Sequence, residues 1–275
     1  MTSVTAADAT MFPGRGDIRW KIGNVDPVEA ERLAASAKLP GLTARLLLAR
    51  GLSDREGARR FLEPAVADLH DPASLRGLPE AVDRLLMACD RKERILVYGD
   101  YDVDGLSAVV QLKAALGRIG GDVEAFIPHR IQDGYGLRPA TVEKILDRKP
   151  GVLITVDCGI SAVAGVRRAV EAGIDVIVTD HHLPPELLPD GCIIVNPKQP
   201  GCDYPYKELC GAGVAFKIVQ ALTLRREGVG AIASYLRIAA LGTVADMVPL
   251  DGENRTISRL GALGLADPRS PGLRA

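Results

Sequence analysis

The chain has 275 residues, 47% of them apolar, which is ample for one large α/β domain or two smaller ones and excludes disorder over most of the length. Lys and Arg number 34 against 35 Asp and Glu, a net charge of −1, so composition lacks the basic excess that marks a nucleic-acid binder. The five cysteines (Cys89, Cys158, Cys192, Cys202, Cys210) are odd in number and form no CxxC, which argues against a disulfide framework or a zinc ribbon and fits a reducing cytoplasm.

The first residues, 1–17, are small, polar and aperiodic, and read as a loose terminus outside the fold. They carry no apolar core behind basic residues of the kind that directs export, and nowhere does an apolar run approach the roughly 18 residues of a membrane span. A helical segment over 18–92 follows. Within it, residues 40–50 group Leu42, Leu46, Leu47 and Ala49 on one face, and 54–62 form a further helical pattern. The rhythm then changes. Short β-rich runs at 95–98, 123–127, 152–156, 176–179 and 192–195 alternate with helical stretches at 106–116, 139–147, 162–172, 213–226 and 231–240. This alternation predicts an α/β domain over 93–262, with a mainly parallel sheet flanked by helices.

Polar residues cluster where such a sheet places ligands, at the carboxyl ends of strands. The run 95–98 leads into Gly99-Asp100-Tyr101-Asp102-Val103-Asp104-Gly105, the run 152–156 into Asp157, and the run 176–179 into Asp180-His181-His182. A last acid, Asp246, ends Gly242-Thr243-Val244-Ala245-Asp246. Converging carboxylates without basic partners repel one another and resist desolvation, so the cluster calls for cations. Oxygen donors mixed with imidazole suit Mn²⁺ or Mg²⁺ better than zinc, and a pair of such ions serves phosphoester hydrolysis. Seen singly, each acid has a plainer role: Asp157 or Asp246 as a helix cap, Asp100 as a turn residue, Asp180 as the partner of a histidine ring nitrogen. Cys158 reads as a small buried residue, and nothing completes a ligand set around Cys202 and Cys210.

The blocks GDYDVDG, VDCG, Asp180-His181-His182 and GTVADMVPL, in that order, resemble the DHH phosphoesterase family. Further blocks, LLLARG near Leu46, FLEP at Phe61, GYGL at Gly134 and CDYPYKELCGAGVAFK from Cys202, resemble the branch of that family that degrades single-stranded DNA from the 5′ end. The resemblance implies a metal-dependent exonuclease of DNA repair and recombination with two Mn²⁺ or Mg²⁺ ions. It places Asp102 and Asp157 on one ion and Asp104, His181, Asp246 and the shared Asp157 on the other. His182 would contact the scissile phosphate, Arg130 the terminal 5′ phosphate, and Tyr135 would stack on a base. Single-stranded DNA is the implied partner of a cytoplasmic monomer, with a single-strand-binding protein or helicase beside it.

Two departures stand out. Tyr98 occupies a place where some family members have a histidine ligand, which predicts weak binding at the ion served by Asp102. The family's nucleases also carry a second domain, and residues 263–275 read as the cut start of a linker to it. Other readings are a hydrolase of oligonucleotides or small esters within the same family, an aspartate-nucleophile phosphatase using Asp102, and a noncatalytic scaffold. The phosphatase leaves both histidines without work, and the scaffold leaves the ligands unexplained.

Overall fold

The computed structural model describes residues 9–13, 19–228, 231–266 and 271–274. The chain forms two compact units that divide between Pro64 and Ala65. In the first, β1 (Ala9–Pro13) pairs antiparallel with β2 (Arg19–Gly23), so part of the segment read as loose is a strand; residues 1–8 and 14–18 lie outside the described residues. Three helices follow: α1 (Pro27–Ala37), α2 (Gly41–Leu48) and α3 (Arg55–Leu62). Asp26 and Asp54 cap α1 and α3 by accepting from Val28 N and Gly57 N. Their small core is Leu33, Ala44, Leu47 and Ala58. The face expected of α2 is corrected here: Ala44 and Leu47 point inward, while Leu42, Leu46 and Ala49 are exposed. In so short a helix only one narrow stripe finds a neighbour.

The second unit is built on a five-stranded parallel sheet in the order β4-β3-β5-β6-β7. Its strands are β3 (Arg94–Gly99), β4 (Asp122–Phe126), β5 (Val152–Val156), β6 (Asp175–Thr179) and β7 (Ile193–Val195). α4 (Leu78–Arg91) precedes them, and between and after them run α5 (Val103–Arg118), α6 (Pro139–Leu146), α7 (Val163–Glu171), α8 (Gly211–Arg226), α9 (Ala233–Ala245), α10 (Gly252–Leu265) and the short α11 (Pro271–Arg274). The helix α4, read from sequence as the end of the helical preface, belongs to this unit, because Leu78, Ala81, Val82, Leu85 and Ala88 form one stripe in its main core.

Alternate residues of the strands serve opposite faces. Ile95, Val97, Val152, Ile154 and Ile177 join the core with α4, α5, α8 and α9, whereas Leu96, Tyr98, Leu153, Val176 and Val178 join the core with α6 and α7. Burial on both faces explains why β3, β5 and β6 carry continuous apolar runs, whereas the edge strand β4, Asp-Val-Glu-Ala-Phe, is only partly buried. From β3 the chain moves outward to β4 and then returns to the other side of β3 as β5. The order reverses between β3 and β5, and that is where an open parallel sheet leaves a crevice at its carboxyl edge.

Candidate metal centre

The loop after β3 fills this crevice first. Asp102 is the N-cap of α5, its Oδ1 accepting from Gly105 N at 2.9 Å, and Asp104 sits in the first helical turn. Asp104 is buried, and its two oxygens accept from Gly211 N at 2.6 Å and Ala212 N at 2.8 Å at the start of α8. Asp157 follows β5 with φ 59°, a left-handed conformation that few residues other than glycine adopt but that aspartate tolerates. β6 delivers Asp180, His181 and His182. Asp246 is the C-cap of α9, which runs five residues beyond its expected end, so GTVA is helical and the acid follows its last turn.

These pieces converge. His181 Nε2 lies 3.1 Å from Asp157 Oδ1 and 3.8 Å from both Asp104 Oδ2 and Asp246 Oδ2. Asp157 Oδ1 is buried and makes no hydrogen bond, so its close approach to His181 is that of two donor atoms aimed at one point. Three overlapping sets of potential ligands result: Asp104, His181 and Asp246; Asp157, His181 and His182; and Asp100, Asp102 and Asp157, each with ligand atoms within 4.8 Å of one another. Asp100 is the residue that sequence reasoning left out. It spends one oxygen on Tyr101 N, as a turn residue would, yet it is buried beside Asp102 and Asp157. The available signal was the spacing of three acids at every second position in a single loop.

The electrostatics are those of a site short of positive charge. Burial, then the charges of Asp104 and Asp102, push the Asp157 carboxyl up to about 10. Burial likewise raises Asp104 and Asp246, against the hydrogen bond from Ala212 in the first case and the charge of His181 in the second. His181 is held below the usual histidine range by burial and by the neighbouring His182, which keeps a lone pair free on its ring. A divalent cation would relieve all of these at once, and the donor set of carboxylates with one imidazole fits Mn²⁺ or Mg²⁺.

His182 is different. Its Nδ1 lies 2.7 Å from Asp180 Oδ1, and that hydrogen bond, against burial, raises it to about 9. Burial opposes ionisation of Asp180, but His182 and the N–H groups of Ile160 and His182 hold its carboxyl below the ordinary value. Asp180 thus holds Nδ1 of the half-exposed His182.

Tyr135 stands edge-on to His182 at 6.2 Å between ring centroids, while the exposed Arg130 lies over the Tyr101 ring at 4.9 Å. Both therefore flank the acid cluster. Tyr98, where a histidine ligand stands in some relatives, is fully buried, stacks on Phe126 and donates to Gly136 O at 3.0 Å. All five cysteines are free; Cys158, Cys202 and Cys210 are buried, and Cys210 caps α8 by accepting from Gly213 N.

A strand-end cluster of this kind on a doubly wound parallel sheet defines a class, and the chain belongs to the DHH family: the model of the "DHH family, N-terminal domain" matches residues 94–243. More narrowly, the chain is similar to the single-stranded-DNA-specific exonuclease RecJ of Bacillus subtilis (strain 168), 42% identical over 258 residues that cover 94% of this chain and 32% of that protein. Among solved structures it resembles RecJ of Thermus thermophilus in complex with Mn²⁺ (TM-score 0.76, 34% identity, 91% of this chain and 35% of that one) and with Mg²⁺ (TM-score 0.65, 30% identity, 91% and 32%). The chain spans about a third of the length of these relatives.

Proposed function

We propose that this chain is the metal-binding catalytic part of a 5′-to-3′ exonuclease that releases nucleotides from single-stranded DNA in repair and recombination. The observation that carries the reading is the approach of Asp104, Asp157 and Asp246 to one imidazole nitrogen, with Asp157 Oδ1 buried and unbonded. Asp104, Asp157, His181 and Asp246 would hold one divalent cation, and Asp102, Asp157 and Asp100 a second. Bound there, such ions supply positive charge to a phosphoryl group and lower the pKa of water. Placing Asp100 in the second set answers the missing histidine at Tyr98.

The remaining groups act on the substrate. His182, oriented by Asp180, hydrogen-bonds an oxygen of the scissile phosphate through Nε2. Arg130 engages the terminal 5′ phosphate and Tyr135 stacks on the first base. Both histidines then have work, which an aspartate nucleophile at Asp102 would not give them. The cytoplasm, a monomeric state and a single-strand-binding protein or helicase as partner complete the proposal. With acids and bases in near balance, the chain assayed alone favours short or small phosphate esters over long strands.

The test is hydrolysis of a 5′-phosphorylated single strand and of a small phosphodiester in Mn²⁺, using the chain and its His181→Ala variant. We expect His181→Ala to lose essentially all activity. Retained activity, or a phosphoenzyme trapped on Asp102, would overturn the reading.

A further inference from the structure

Two glycines touch acid side chains of the cluster although neither needs a glycine's backbone freedom. Gly211 opens α8 and Gly242 lies inside α9, and neither has a positive φ. Glycine is a poor helix former, so its presence inside α9 calls for a reason of space. A Cβ on Gly211 would stand 2.5 Å from Asp157 Cβ and 2.8 Å from Asp157 Oδ1, the unbonded atom that faces His181. A Cβ on Gly242 would stand 2.7 Å from Asp104 Oδ1 and 2.4 Å from Ala212 Cβ. From the other direction, the N–H groups of Gly211 and Ala212 grip both oxygens of Asp104. The start of α8 therefore touches Asp104 by hydrogen bonds and Asp157 by bare contact.

We propose that Gly211 and Gly242 are positioning residues for the metal centre: their missing side chains let the start of α8 and the end of α9 close on Asp104 and Asp157, setting the gap across which these carboxylates hold a cation. The proposal rests on the metal reading above. It differs from a packing role, for which the structure has an example in Gly261, whose Cβ would meet as its nearest atoms Leu236 O at 2.3 Å, Ala240 Cβ at 2.4 Å and Leu236 C at 3.0 Å.

The experiment uses the full chain and Mn²⁺ alone as probe, with affinity from isothermal titration and melting in EDTA as the measure of fold. Gly211→Ala and Gly242→Ala should weaken Mn²⁺ binding by roughly 10- to 100-fold, the range found when residues orienting metal ligands are lost. Gly261→Ala should lower melting in EDTA and leave Mn²⁺ affinity unchanged. Should the single variants fold poorly, Gly242→Ala combined with Ala212→Gly decides, because it removes the clash between side chains but keeps the one with Asp104 Oδ1. That double variant should regain melting in EDTA and remain weak for Mn²⁺. Wild-type Mn²⁺ affinity in the double variant, or in Gly211→Ala, would overturn the proposal. A wild-type chain that takes up no Mn²⁺ would remove the metal reading and this inference with it.

Discussion

The second unit buries carboxylates in two places and treats them in opposite ways. Glu253, on α10, is fully enclosed, but Lys217 Nζ donates to it at 2.7 Å, His70 N at 3.1 Å, and the Tyr204 hydroxyl donates to its other oxygen. Lys217 also donates to His70 O, so every charge in this knot has partners from the chain itself. Burial holds the Lys217 ammonium below its ordinary value despite the pull of Glu253. Asp157 is buried almost as deeply, yet one of its oxygens has no hydrogen bond and its charged neighbours are mostly acids. A buried charge that the protein neutralises by itself is a structural tie. One that it leaves exposed to its own kind is waiting for something from outside.

The largest effect expected from this contrast comes from breaking the tie. Lys217→Met strands Glu253 without its cation and should lower unfolding stability by about 3–5 kcal/mol in a denaturant melt, whereas Lys217→Met with Glu253→Leu should recover most of it. A single variant as stable as the wild type would erase the distinction. Next in size is the response to metal: saturating Mn²⁺ at a hundred times its dissociation constant should stabilise the chain by about 2.7 kcal/mol, read as a rise in melting temperature. No rise at millimolar Mn²⁺ would mean that the acids are not waiting for a cation. Smaller again is Asp157→Asn. By replacing a buried carboxyl that must take up a proton on folding, since it is pushed up to about 10, it should raise stability in EDTA by roughly 0.5–2 kcal/mol while abolishing the Mn²⁺ response, the usual exchange between stability and function. A loss of stability in EDTA would show that Asp157 is a structural residue after all.

The smallest effect concerns an ion pair near the surface. Asp133 is bonded to Lys144 Nζ and accepts from His129 N at 2.8 Å, and these contacts hold its carboxyl below the ordinary value. A depressed carboxyl stabilises the fold above its unfolded pKa, near 3.9, and that contribution is lost as pH falls through the lower folded value. Hydrogen exchange at the His129 amide, measured against pH, should therefore show protection that is full above about pH 4 and declines below it. A decline centred well above pH 4 would place the control elsewhere.

Much of this was legible in one dimension. The inner strands of the sheet carry continuous apolar runs, and 152–156 falls on β5 with the bounds expected of it. The acids stand out because polar residues directly after such runs have few structural reasons to be there, and three of the four blocks that carry the family resemblance are those same strand ends, the fourth closing α9. Other features were not legible. The extension of α9 through GTVA, the helix α10 and the assignment of α4 to the sheet depend on packing against neighbours that local periodicity does not name.

The sequence by itself determined the alternation of strand and helix, and with it the edge of the sheet where the acids and histidines emerge, because burial on both faces requires apolar runs that a reader can see. Only the tertiary structure decided which acids share a point in space. Asp100 joins the cluster because β3 pairs in parallel with β5, Gly99 opposite Val156, which sets Asp100 beside Asp157. Tyr98 turns its hydroxyl to the backbone at Gly136, while Gly211 and Gly242 bring two helices against the carboxylates. These are contacts of a few ångströms between residues far apart in the chain, set by how helices pack on a twisted sheet, and no spacing along the sequence encodes them directly.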